Sequence, residues 1–270
     1  MTFWLAILYG VVQGLTEFIP VSSSGHLALA QNLFAGGVDQ LFIEMINLGT
    51  LLALLIAFRK KIWTILQDIF LHKKWGLAIN LIITAIPAGI IGLTLNDFIA
   101  ESGFFGAAVV VAVAMMAVGF IMIFLNQILA KLKVFPLAFD KISKPQALVI
   151  GLSQSVALIP GVSRSGATII TGRLLGLNSR DAAEYSFLAS IPLFMGVVAK
   201  GFLSSEDRAY WSANFWPLVL GNLAAFIVGI IVIKYLLAYL QRKNSLRVFG
   251  LYRVILASCV LLILLVQKLV

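Results

Sequence analysis

Apolar stretches of bilayer-crossing length recur along almost the whole of this 270-residue chain, and nothing else in it constrains the fold as much. Each helical crossing of the hydrocarbon core takes about 20 residues. Inside lipid every backbone N–H and C=O must be paired internally, which leaves helices or closed barrels. Apolar segments fall at 3–19, 26–35, 41–58, 77–95, 104–125, 146–159, 167–177, 182–203, 215–240 and 248–267. Six of them are long enough to span: 41–58, 77–95, 104–125, 182–203, 215–240 and 248–267. Only 11% of residues are charged and 61% are hydrophobic, whereas soluble domains carry about 25% charged residues. One membrane domain over 1–270 is therefore expected, with no soluble appendage. The single Cys259 excludes a disulfide within the chain. The formal charge of +9 does not indicate nucleic acid, because the basic residues lie between apolar runs; membrane lipids are the expected contacts. The amino-terminal run is not expected to be a cleaved signal peptide. Residues 1–6 hold no Lys or Arg, and Gln13 and Glu17 interrupt the apolar stretch.

The four remaining segments form two pairs, each joined by a proline and a Ser/Gly-rich break, at 20–25 and 160–166. Segments this short suit re-entrant or broken helices. Basic residues set the orientation. Arg59, Lys60, Lys61, Lys73 and Lys74 follow 41–58; Lys131, Lys133, Lys141 and Lys144 follow 104–125; Arg242, Lys243 and Arg247 follow 215–240. The loop at 96–103 has only Asp97 and Glu101 as charges, and 204–214 has Arg208 beside Glu206 and Asp207. The basic loops are thus assigned to the cytoplasm. The first pair then enters from outside and the second from the cytoplasm, with Arg173 and Arg180 at its exit. The expected fold class is all-α integral membrane: six transmembrane helices plus two re-entrant hairpins, in two inverted-topology repeats of about 1–126 and 145–270. Local similarity supports the repeat. Gly10-Val-Val-Gln13 resembles Gly151-Leu-Ser-Gln154, and Phe18-Ile-Pro-Val-Ser-Ser-Ser-Gly25 resembles Leu158-Ile-Pro-Gly-Val-Ser-Arg-Ser-Gly166. Inverted repeats with broken helices point to a site near the midplane.

The chemistry-bearing residues collect in those breaks. Pro20 ends a helix near Ile19, and Ser22, Ser23 and Ser24 are N-cap candidates for the next one. A helix start inside the membrane offers free N–H groups and a positive dipole end to an anion. Glu17 and His26 are ionisable groups within apolar sequence, either a functional pair or a purely structural one. The second break supplies Ser163, Arg164, Ser165 and Thr168, and Arg164 has no acidic neighbour in sequence. A guanidinium fork suits phosphate oxygens. If both tips meet, Arg164 and the serines face Glu17, Ser23 and His26 across one cavity suited to a phosphate group; a bare Arg164–Glu17 pair is the plainer alternative. Glu44 and Glu184 start corresponding spans, where they would line either the cavity or the headgroup zone.

Gln13-Gly-Leu-Thr-Glu17-Phe-Ile-Pro-Val-Ser-Ser23-Ser-Gly-His26 and Pro160-Gly-Val-Ser163-Arg164-Ser165-Gly-Ala-Thr168 resemble the two motifs of the bacterial undecaprenyl-diphosphate phosphatase family of the bacitracin-resistance type. The resemblance covers essentially the whole chain. It implies a bacterial cytoplasmic (inner) membrane enzyme of two interlocked inverted repeats. Such an enzyme removes the terminal phosphate of a long-chain isoprenyl diphosphate at a site open to the outer face, recycling a lipid carrier for the cell wall. It further implies Glu17 as metal-binding or acid/base carboxylate, Ser23 as nucleophile, His26 as its activator and Arg164 as diphosphate clamp. Gln13, Ser22, Ser24, Ser163, Ser165 and Thr168 would complete the substrate site. A divalent cation, Mg²⁺ or Ca²⁺, is the implied cofactor, with Glu17 as ligand. Gln13 departs from the family pattern, in which Glu is frequent at that position, so a second metal-binding carboxylate is missing. The residues leave open whether Ser23 or His26 attacks phosphorus, and whether the protein is a monomer or a homodimer. The rival class is a secondary transporter or flippase for an anionic isoprenoid lipid; an anion channel fits less well, since the polar residues are too few for a continuous path.

Overall fold

The computed structural model describes residues 1–33, 39–101 and 107–269, and within these the chain is helical throughout, without strands. The helices are α1 (Phe3–Thr16), α2 (Ser23–Leu33), α3 (Gln40–Met45), α4 (Asn47–Ala57), α5 (Arg59–Phe70), α6 (Gly76–Glu101), α7 (Ala108–Lys131), α8 (Lys144–Val156), α9 (Arg164–Leu174), α10 (Ser179–Leu203), α11 (Ser205–Ala213), α12 (Phe215–Tyr239) and α13 (Ser245–Leu269). Six stretches are long and apolar enough to cross a membrane: Gln40–Ala57, Gly76–Leu95, Ala108–Lys131, Ser179–Leu203, Phe215–Tyr239 and Ser245–Gln267. They coincide with the six expected spans. The acidic-loop assignment at Asp97 and Glu101 falls on side chains outside the described residues, as does that at Glu206.

Two helices were read from sequence as loops. α5 carries the basic cluster Arg59, Lys60 and Lys61, yet Ile62 and Ile65 turn one face onto the protein while Trp63 and Phe70 are exposed. This is an amphipathic helix of interfacial type. α11 starts with Ser204 capping Asp207 N.

Close packing is driven differently here than in water. Lipid tails are as apolar as leucine, so helices associate through van der Waals fit and polar ties rather than through removal of apolar surface from water. Leu93, Ile255, Leu262 and Val266 accordingly face outward. α1 packs along α12, α8 along α6, and α7 against α13. Glycine sets the first two contacts: a Cβ at Gly10 would lie 2.2 Å from Gly221 O, and one at Gly151 would lie 2.7 Å from Thr84 O. Near the middle, the Phe18 and Phe187 rings meet edge-to-face at 5.5 Å and Phe58 completes the cluster at 6.2 Å from Phe187. Phe18 itself lies in the break between α1 and α2, so this aromatic cluster anchors that break.

Candidate active site

The two breaks have the same local construction. Ser22 and Ser163 each take a positive φ, 77° and 76°, a region that costs a non-glycine residue of order 1–3 kcal/mol. Side-chain bonds hold each serine there. Ser22 Oγ accepts from Gly25 N (3.3 Å) and lies 3.1 Å from Ser24 Oγ; Ser163 Oγ accepts from Gly166 N (3.1 Å) and lies 3.2 Å from Ser165 Oγ. Ser23 and Arg164 therefore occupy the same place, the first residue of the helix after the break.

Both reach the same carboxylate. Glu17 Oε2 accepts from Ser23 Oγ at 2.6 Å and from Gln13 Nε2 at 3.0 Å. Glu17 Oε1 accepts from Arg164 Nη2 at 2.9 Å, and the pair is nearly buried, at 10% and 12% side-chain exposure. Arg164 is held further by Ser186 O at 3.5 Å and lies 4.9 Å over the Phe194 ring. Thr168 Oγ1 is 2.5 Å from Ser186 Oγ. The tips also touch directly: Gly161 N donates to Ser24 Oγ at 3.4 Å, and Ser165 Oγ is 3.4 Å from both Glu17 O and Ile19 O.

His26 is arranged otherwise than the resemblance implied. It pairs with neither Glu17 nor Ser23. Nδ1 lies 2.7 Å from Ser22 O, and Nε2 lies 2.6 Å from the Tyr252 hydroxyl, with the two rings stacked at 5.6 Å. A carbonyl only accepts, so Nδ1 carries the proton and Nε2 of the neutral ring accepts from Tyr252. The carboxylate beside the Ser23 hydroxyl is that of Glu17. The carboxylates of Glu44 and Glu184 turn to other partners: Glu44 accepts from Gln40, and Glu184 pairs with Arg180.

Further neighbours complete the site, of which Ser186, Phe194 and Arg253 escaped the sequence reading. Asn47, at the start of α4, accepts from Gln13 Nε2 at 3.0 Å. Ser186 and Phe194 come from α10. Arg253 is fully buried in α13, and its guanidinium donates to Pro20 O (3.2 Å), Gly161 O (2.6 Å), Val162 O (3.0 Å) and Met115 O (3.1 Å). One cation thus ties both break tips to α7. A lone arginine in an apolar run was the available signal, since an ionisable group within a span is rarely idle.

Fold and site together define a multi-pass helical membrane protein with a buried, charge-paired polar centre built from two helix breaks. The chain belongs to the family described as bacitracin resistance protein BacA, which it matches over residues 6–259. It is 35% identical to the undecaprenyl-diphosphatase of Clostridium tetani over 270 residues, 98% of this chain and 97% of that one. It is 37% identical to the undecaprenyl-diphosphatase of Acinetobacter baumannii over 264 residues, 95% and 94% of the two chains. The undecaprenyl-diphosphatase of Halothermothrix orenii is 35% identical over 256 residues, 93% of this chain and 94% of that one.

Proposed function

We propose that this protein hydrolyses undecaprenyl diphosphate to undecaprenyl phosphate and inorganic phosphate in the bacterial cytoplasmic membrane. The observation that carries this reading is the single carboxylate of Glu17 shared by a hydroxyl nucleophile candidate, Ser23, and a phosphate-binding cation, Arg164.

The two positions divide the work. Arg164 is neutralised by Glu17 before substrate arrives. A diphosphate entering between the breaks offers the guanidinium oxygens in the geometry it prefers, and the helix starts at Ser23 and Arg164 add N–H donors and dipole ends. Glu17, released from the cation, becomes the base for the Ser23 hydroxyl already bonded to it. Ser23 Oγ attacks the terminal phosphorus, the bond to the bridging oxygen breaks, and the isoprenyl phosphate departs. Water then cleaves the phosphoserine. Arg164 offsets charge on the phosphoryl oxygens throughout. His26, donating to Ser22 O, fixes the strained residue next to the nucleophile.

A divalent cation fits the donors present. Beside the Glu17 carboxylate lie the amides of Gln13, which donates to it, and of Asn47, whose oxygen accepts from Gln13. Among the described residues no cluster of three or more His, Cys, Asp or Glu could cage a metal. An oxygen set with one carboxylate, completed by substrate phosphates, is the pattern of Mg²⁺ sites. When bound, the ion would neutralise diphosphate oxygens.

For the fold we infer two inverted repeats with re-entrant hairpins. The matched serine geometry and the reciprocal α1/α12 and α8/α6 contacts support that arrangement, and a site open to the outer face is what the family resemblance implies. An apolar groove of about 460 Å³ between α4 and α12 starts at Leu48, beside Asn47, and continues past Leu52, Ile56, Leu223 and Phe226. It is a path for an isoprenyl chain.

The test is phosphate release from C55 isoprenyl diphosphate by purified protein in detergent, with Ser23→Ala, Arg164→Ala and chelator. Robust release that each treatment abolishes is expected. No release from well-folded wild type would overturn the enzyme reading in favour of lipid transport, and equal turnover of a short water-soluble diphosphate would overturn the long-chain preference.

A further inference from the structure

A second group of cations lies away from Glu17, on the basic face. A basin of about 540 Å³ opens there among the ends of α7, α9 and α12 and the starts of α10 and α13. Arg173, Arg180, Arg242, Lys243 and Arg247 line it, against the single carboxylate of Asp181.

Little of that charge is answered within the protein. Arg180 pairs with Glu184 at 3.1 Å. Asp181 is already occupied by Asn178 Nδ2 at 2.8 Å. Arg242 lies 5.4 Å over the Tyr239 ring. Lys243 and Arg247 have no side-chain partner among the described residues. Arg173 donates through Nη1 to Leu177 O at 2.7 Å, while its Nε is buried with no acceptor. A buried guanidinium N–H without an acceptor costs free energy, so the Arg173 guanidinium is incompletely satisfied within the protein.

Topology alone does not account for this arrangement. The positive-inside rule needs a count of cations on one side and is indifferent to whether they converge. Arg59, Lys60 and Lys61 meet it as three consecutive residues in the first turn of α5. The basin cations come from two stretches of the chain, 173–180 and 242–247, and face one cavity.

We propose that this basin is a second phosphate-oxyanion site, distinct from the Glu17–Arg164 centre and placed at the opposite end of α9. Arg164 opens that helix and Arg173 lies in its last turn, so the two sites are about 13 Å apart along its axis at about 1.5 Å per residue. The ligand is a phosphate group on either a lipid or a free anion, and the site does not depend on the phosphatase reading.

The experiment counts saturable sites on the full-length protein in detergent, with radiolabelled inorganic phosphate and with farnesyl phosphate as probes. In one variant Arg242→Gln and Arg247→Gln are combined. A second, Lys60→Gln with Lys61→Gln, removes the same charge from α5. The basin variant is expected to lose one site, or to weaken it at least tenfold, while the α5 variant retains it. Displacement of that site by inorganic phosphate assigns it to the free anion. Displacement only by phosphatidylglycerol vesicles, and not by phosphatidylcholine, assigns it to a lipid headgroup; both support the site. Equal site counts in wild type and basin variant, or equal losses in both variants, would overturn it. Phosphate release from C55 diphosphate by the monodisperse basin variant, within about twofold of wild type, separates this outcome from failure of the active-site reading.

Discussion

At Glu17 three donors converge on two oxygens, and each makes a separable contribution. Removing one member of a nearly buried ion pair strands the other, at a cost of about 3–5 kcal/mol. Arg164→Ala should therefore lower thermal stability in detergent as well as activity. Glu17→Gln keeps the shape and removes the base, so kcat should fall by about 10²–10⁴-fold; it also strands the Arg164 charge, so the folding midpoint should fall as well. Arg164→Lys is expected to recover the folding midpoint but little activity, because a point charge does not reproduce the planar fork. Tyr252→Phe tests the other pair: it takes the donor from His26 Nε2 and leaves the ring stack. A loss of about tenfold or less would fit a positioning role for His26, whereas a loss equal to that of Ser23→Ala would make the imidazole a participant in the chemistry.

At the scale of elements, the breaks are made by backbone strain stabilised by side-chain caps. Ser163→Ala removes the acceptor for Gly166 N while keeping the positive φ, and should destabilise by about 0.5–2 kcal/mol. Ser163→Gly relaxes the backbone and should be the milder of the two, a ranking that chemical denaturation in mixed micelles would check. The sequence was legible to different depths here. The six spans follow from apolar length alone, and the breaks follow from Pro20, Pro160 and the serines beside them. α5 was missed because its charges mask an apolar face seen only at helical spacing, through Ile62 and Ile65. Hydrogen-bond partners were less legible than residue membership. Ser23 and His26 are about one turn apart, which suggests contact, yet the positive φ of Ser22 directs the Ser23 hydroxyl to Glu17 and the imidazole to α13.

For the whole molecule, Arg253 and the basic loops give the sharpest expectations. Arg253→Met would leave four carbonyls at the junction of both breaks and α7 without their donor, each such bond to a charged group contributing about 1.5–3 kcal/mol. Stability and phosphate release should fall together, with Arg253→Lys intermediate. Orientation is tested with Cys259→Ser as background and single cysteines at Lys73 or Lys243. An impermeant maleimide should label them only after the cells are opened, and labelling of intact spheroplasts would invert the assigned topology. Sequence by itself determined the solvent, the number of spans and the location of the polar breaks, because apolar length and helix-breaking residues act locally. Only tertiary structure decided that Ser23 and Arg164 share Glu17, that Arg253 ties the breaks together and that cations from two distant stretches form one basin. Those facts depend on which helices lie side by side, and in lipid that choice is made by close glycine contacts and polar ties between residues far apart in the chain.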